Sequence, residues 1–174
     1  VSNTAAPAIT ATPTVDLTCF NSDDGTITVN TAGGTAPLNF SIDNGATFQA
    51  GNIFNNLPGG NYSIVVEDAL GCQATMNVVL NEPPLLIFNA QPVNTTCGQS
   101  NGSIAINANG GTGAYSYSIN GGTTQQPGNT FNNISAGNYS LVVTDTNGCT
   151  ATANQVINDA PGPNIQNVNV ANVN

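Results

Sequence analysis

The chain has 174 residues, only 5% of them charged; all nine charges are Asp or Glu, and Lys, Arg and His are absent. An ordinary soluble domain carries about a quarter charged residues, so this is a strong bias. It excludes side-chain salt bridges and general acid–base chemistry by His or Lys, and it leaves nothing to neutralise nucleic-acid phosphates or an anionic membrane surface.

In chain order, residues 1–6 read as the end of a preceding linker. Pro7 then opens "AITATPTVDLTC", an extended segment closing at Cys19. "GTITVNTAGG" (25–34) and "PLNFSIDNG" (37–45) follow as short strands, β-branched or aromatic on one face and Asn, Thr or Ser on the other. Asn44-Gly45 suits a tight turn with positive φ. Phe54 follows, and "GGNYSIVVEDALGC" (59–72) is a further strand segment ending at Cys72.

From Pro84 the text starts again. Gly25, Gly33, Phe54, Tyr62, Asp68 and Cys72 recur as Gly102, Gly110, Phe131, Tyr139, Asp145 and Cys149, each 77 residues on. Cys19 recurs as Cys97 at 78, because the first copy has one extra residue before its Gly. "GSIAINANGG", "AYSYSINGG" and "AGNYSLVVTDTNGC" repeat the three strand segments, with Asn120-Gly121 as the expected second turn. A fixed period of this kind marks a repeat architecture. The expected division is 1–6 linker, 7–83 repeat 1, 84–162 repeat 2 and 163–174 the first strand of a following repeat. In that register a third Cys would come next after Asn174. No helical period persists and no apolar run approaches a bilayer-spanning length.

Six to eight short strands per unit, with turn signals every eight to twelve residues, predict an all-β fold of tandem immunoglobulin- or fibronectin-like sandwiches. "LPGGNY" at Tyr62 and "ISAGNY" at Tyr139 resemble tyrosine corners, with the ring in the core and the hydroxyl tied to nearby backbone. Asp68 and Asp145, each followed three residues later by Gly71 or Gly148, fit turns in which Asp holds local amides and Gly supplies positive φ.

Four Cys allow three connectivities. Pairing within each repeat, Cys19 with Cys72 and Cys97 with Cys149, would close every unit by itself and is the expectation. It would stabilise each by roughly 4 kcal/mol in the chain-entropy account. Reduced thiols in a cytosol are the alternative. Zinc lacks a CxxC and any His. No cofactor is expected. The "SDDG" stretch with Asp23 and Asp24 is the one fragment a calcium ion would use.

The copies also serve as a control on the carboxylates. Asp23 and Asp24 correspond to Ser100 and Asn101, Asp43 to Asn120 and Glu67 to Thr144, whereas Asp68 persists, as Asp145. No catalytic residues are expected, and the protein is read as a non-enzyme.

The ordered set of Cys, "DGTI" (24–27), "GGTAP" (33–37) and "GGNYSIVVEDALGC", with its second copy, resembles SprB-type repeats of Bacteroidetes gliding-motility adhesins. The resemblance implies type IX secretion, a bacterial cell-surface location, a long repetitive stalk touching the substratum, and no catalytic residues. The aromatic usual in the family near Ile42 and Ile119 is missing. Expected partners are neighbouring repeats or identical chains, with surface glycans or substratum beyond; nucleic acid and membrane insertion are not expected. Two rival readings stand beside the stalk. One is a filament subunit donating the strand at Pro163 to Asn174. The other is a carbohydrate-binding module using Tyr115 and Tyr117, whose counterparts Leu38 and Phe40 do not form the same platform.

Overall fold

The computed structural model describes residues 5–163. Two compact units divide it: one runs through Leu85 and includes Gly110–Thr112, the other comprises Leu86–Asn109 and the chain from Gly113 onward. The described residues form strands, turns and loops without a helix. The linker expected at 1–6 is described only at Ala5 and Ala6. The strand expected at 163–174 lies outside the described residues beyond Pro163.

The first unit contains β1 (Ala8–Ala11), β2 (Thr14–Val15), β3 (Gly25–Thr28), β4 (Asn30–Ala32), β5 (Asn39–Ser41), β6 (Ile53–Leu57), β7 (Gly60–Glu67) and β8 (Gln73–Leu80). One layer is ordered β2-β3-β6, with β1 and β4 as a second antiparallel pair; the other is ordered β5-β7-β8. β1 with β2, and β3 with β4, are the two halves of interrupted strands. The unit is therefore a three-strand layer facing a three-strand layer in the order A-B-E against C-F-G, the immunoglobulin-like arrangement.

The second unit contains β9 (Ile87–Val93), β10 (Thr95–Thr96), β11 (Gly102–Asn109), β12 (Ser116–Ser118), β13 (Thr130–Ile134), β14 (Gly137–Thr144), β15 (Thr150–Ile157) and β16 (Asp159–Ala160). Its layers are β9-β11-β13 and β12-β14-β15, the same order with the A and B strands now continuous. β10 also pairs in parallel with β16, Thr95 opposite Asp159.

Why these residues form this fold is visible in the burial. Ile27, Val29, Phe40, Ile64, Val66 and Leu80 fill the first core. Their counterparts Ile104, Ile106, Tyr117, Leu141, Val143 and Ile157 fill the second. Along β3 the pattern alternates, Ile27 inward and Thr26 and Thr28 half-buried. That is the period-two signature of a strand with one face covered. Gly25 is required by a close approach: a Cβ there would lie 2.8 Å from both the Leu57 carbonyl oxygen and Leu80 Cδ1. β3 bulges between Gly25 and Ile27 against β6 at that point.

One turn differs from expectation. Asn44 and Gly45 take positive φ of 60° and 84°, but in the second unit the pair is Gly121 and Gly122, at 70° and 87°. Asn120 sits one place earlier, where Asp43 sits in the first unit. The 77-residue register is kept; the Asn-Gly dipeptide is simply displaced within it.

Candidate functional site

The residues singled out by the sequence gather at the two poles of each sandwich. At one pole of the first unit, β7 ends at Glu67 and β8 begins at Gln73, directly opposite it. Asp68, only 4% exposed, closes this turn. Its Oδ1 accepts from the N–H groups of Leu70 and Cys72, both at 2.9 Å, and its Oδ2 from Thr35 N–H at 3.1 Å. Gly71, at φ 79°, donates its N–H to the Asp68 carbonyl at 3.0 Å. The Thr35 amide, foremost among these donors, holds the Asp68 carboxyl below its ordinary pKa against the opposing effect of burial. In the second unit Asp145 Oδ1 accepts from Asn147 and Cys149, again at 2.9 Å, and Gly148 takes φ 86°.

The other pole is built around Cys19. Leu17 N–H donates to the Asn81 carbonyl at 3.0 Å, and Asn21 N–H to Glu82 Oε2 at 3.2 Å. Here Cys19 lies beside the end of β8. Asp24 braces the loop, accepting from the Ser22 hydroxyl at 2.6 Å, the Thr18 amide at 3.2 Å and the Thr18 hydroxyl. These hydroxyls, Ser22 first, lower the Asp24 pKa. In the second unit Asn101 Oδ1 accepts from Thr96 N–H at 3.0 Å, and Cys97 N–H donates to the Ala160 carbonyl at 2.9 Å.

This geometry corrects the expected disulfides. Cys72 precedes β8 and Cys19 lies at its far end, so an eight-residue strand, about 25 Å long, separates them. A disulfide tolerates Cα atoms no more than about 7 Å apart. Cys97 and Cys149 are held apart in the same way by β15. Cys72 and Cys97 are exposed free thiols. Cys19 and Cys149 are each disulfide-bonded. Neither intra-repeat loop is closed, and the stabilisation expected from closing each repeat on itself does not apply.

The tyrosines sit at the same end as Cys19 and Cys97 in their respective units. Tyr62 Oη donates to the Pro58 carbonyl at 2.7 Å, and Tyr139 Oη to the Ser135 carbonyl at 2.8 Å, each four residues back. Both rings pack against their cores. Burial, and then the nearby Asp23 charge, raise the Tyr62 pKa.

Sequence reasoning paired Asp43 with Asn120 but missed which groups the carboxylate-to-amide exchanges hold. Asp16 accepts from Asn81 N–H at 2.9 Å; its counterpart Asn94 accepts from Asn158 N–H at 3.0 Å. Asp43 accepts from the buried Ser41 hydroxyl at 2.6 Å and from Thr47 N–H at 2.9 Å. Asn120 accepts from the Ser118 hydroxyl at 2.8 Å and from Thr124 N–H at 3.0 Å. An amide oxygen does the same work as a carboxylate oxygen at these places, so the negative charge is dispensable there. The signal was present in the paired substitutions themselves.

Tyr115 and Tyr117 meet edge to face with centroids 6.4 Å apart. Tyr117 is a core residue and Tyr115 packs against that core, so the pair does not stand out as a flat exposed platform. Asp23 and Asp24 are both exposed. Among the described residues no three His, Cys, Asp or Glu side chains group as metal ligands.

The SprB repeat family model matches the chain twice, at residues 11–47 and 89–124. The two segments cover corresponding parts of the sandwiches, from the A strand to the turn after the C strand, and contain Cys19 and Cys97. At these two segments the chain is similar to SprB repeats. No curated protein matches it. Among solved structures, an intimin C-terminal 282-residue fragment in complex with the intimin-binding domain of its translocated receptor is 14% identical, with a TM-score of 0.47; the alignment covers 86% of this chain and 64% of that one. The N-terminal eight Ig domains of Down syndrome cell adhesion molecule are 14% identical at a TM-score of 0.44, covering 90% and 25%. The insect immune protein hemolin is 15% identical at 0.41, covering 91% and 48%. The chain thus spans less than two thirds of each of these structures.

Proposed function

We propose that this chain is a segment of a structural or adhesive array on a bacterial surface, in which SprB-type repeats act as spacers and not as enzymes. The observation that carries this reading is polar: each sandwich is entered at one pole and left at the other. In the first unit Gly34 N–H donates to the Ala5 carbonyl at 2.8 Å, beside the Asp68 turn, whereas the chain departs past Glu82, beside Cys19. A unit with its two ends at opposite poles adds length with every copy. Interchangeable Asp and Asn in the loops also support spacing over chemistry, since a charge that can be lost carries no reaction. On this reading residues 7–83 and 84–162 are the repeats, flanked by a linker at 1–6 and further repeat sequence at 163–174.

The finer reading is an exported, extracellular stalk of the gliding type, reached by type IX secretion and self-associating or meeting the substratum along its length. It rests on the family match. Electrophoresis of the native polypeptide under reducing, denaturing conditions tests the array. A chain many times the 17.5 kDa of this segment is expected; a native product near that mass would instead mean a filament subunit.

A further inference from the structure

In the second unit β10 and β16 lie side by side in parallel, Thr95 opposite Asp159 and Thr96 opposite Ala160. We propose that this seam is a mechanical clamp. It sets the force at which the sandwich opens when the chain is pulled along its length, and the first unit, whose seam is weaker, opens before the second. The inference rests on the reading above only in taking load to arrive through the chain; the clamp itself belongs to the fold.

Topology decides how load meets these bonds. β9 leads into β10, so tension from the preceding chain draws β10 backward from its start. β15 leads into β16, so tension from the following chain draws β16 forward from its end. Parallel strands drawn in opposite directions slide past each other, and every bond between them is strained at once. Those bonds are closely set. Thr95 N–H donates to the Asn158 carbonyl at 3.0 Å and Cys97 N–H to the Ala160 carbonyl at 2.9 Å. Asn158 N–H donates back to Asn94 Oδ1 at 3.0 Å. The Asp159 carboxylate crosses the same seam, accepting from the Thr95 hydroxyl at 2.9 Å and from Gly98 N–H at 3.0 Å. Thr95 is wholly buried, so parting the strands strands its hydroxyl before water can reach it.

In the first unit the seam is thinner, and the sequence supplies the reason. Leu17 stands where Thr95 does; its N–H donates to the Asn81 carbonyl at 3.0 Å, but it has no hydroxyl to offer. Asp16 holds Asn81 N–H at 2.9 Å, as Asn94 holds that of Asn158. Cys19 N–H turns into its own loop, donating to Ser22 Oγ at 3.1 Å, where Cys97 N–H reaches across to Ala160. Ala160 is matched by Pro83, which has no N–H to give a neighbouring strand. Glu82 stands for Asp159 and accepts from Asn21 N–H at a longer 3.2 Å.

The test pulls the whole 174-residue chain by its ends at constant force, in dithiothreitol so that no disulfide carries load. Two opening steps are expected, each releasing about 25 nm of chain, one with a short lifetime and one with a long one. Asp159→Ala is expected to shorten the long lifetime about tenfold, the effect of losing hydrogen bonds to a charged group, and to spare the short one. Pro83→Ala is expected to lengthen the short lifetime. Tyr139→Phe, which weakens the second unit outside the seam, is expected to leave both lifetimes unchanged. The proposal is overturned if Asp159→Ala spares the long lifetime or acts on the short one. It is overturned equally if Pro83→Ala lengthens nothing, or if Tyr139→Phe shortens the long lifetime as much as Asp159→Ala does. A small native subunit on the gel would refute the array and leave these lifetimes as they are.

Discussion

The hydroxyl of Ser41, wholly buried, donates to Oδ1 of Asp43 at 2.6 Å. The same oxygen of Ser41 accepts from the N–H of Gly45 at 2.9 Å, so one hydroxyl ties the C strand to the turn that follows it. In the second unit Ser118 does this with Asn120 and Gly122. The pair differs in one respect: Asp43 titrates and Asn120 does not.

Hydrogen bonds from Ser41, and then from Thr47, lower the Asp43 pKa from its ordinary 3.8 to about 2. A depressed folded-state pKa favours the ionised form in the native protein. Its stabilising contribution is complete above 3.8, declines as pH falls, and is gone below about 2. Asp16, Asp24 and Asp68 are lowered too and act in the same direction. Asp43→Asn is therefore expected to flatten, without abolishing, the acid-induced loss of stability, while Asn120→Asp steepens it. Thermal melts across that pH window measure both.

Gly25 tests packing. A methyl group there would fall 2.8 Å from a backbone oxygen and 3.0 Å from Leu17 Cδ1. Gly25→Ala is expected to cost about 1–3 kcal/mol by urea denaturation. Gly71→Ala meets nothing within 4 Å and is expected to cost only the strain of positive φ, about 1–2 kcal/mol.

The tyrosine corners are duplicate experiments in one chain. Tyr62→Phe and Tyr139→Phe each remove a hydroxyl donated to a carbonyl and leave the ring in place. Each is expected to lower the stability of its own repeat by about 0.5–1.5 kcal/mol, read by hydrogen exchange resolved to β7 or β14. Loss spread evenly over both repeats would argue against independent corners.

At the Asp68 turn the two carboxylate oxygens divide their work. Asp68→Asn keeps an oxygen for Leu70 and Cys72 while losing the acceptor for Thr35. Exchange of the Thr35 amide is expected to accelerate alone. Asp68→Ala is expected to release all three amides.

Much of this was legible beforehand, for a physical reason. Alternation at Ile27 and Ile64, a Tyr after Gly-Asn and the 77-residue register are local or additive features, and local features survive translation into structure. The disulfides failed because pairing is a matter of direction. In an A-B-E against C-F-G sandwich the B and G strands run antiparallel, so a Cys before β3 and a Cys before β8 fall at opposite poles. Proximity to a strand start was read as proximity in space. The Asp-to-Asn exchanges were visible as paired letters, but which amides they serve emerges only once Asn81 and Thr47 are placed.

The cysteine arrangement is tested most directly by peptide mapping of the oxidised chain. With no Lys or Arg to cut at, pepsin digestion at low pH serves and also suppresses thiol exchange. The structure predicts that Cys72 and Cys97 are each open to alkylation and occur in no linked peptide. Linked pairs of Cys19 with Cys72 and Cys97 with Cys149 would contradict it and require each sandwich to be closed on itself.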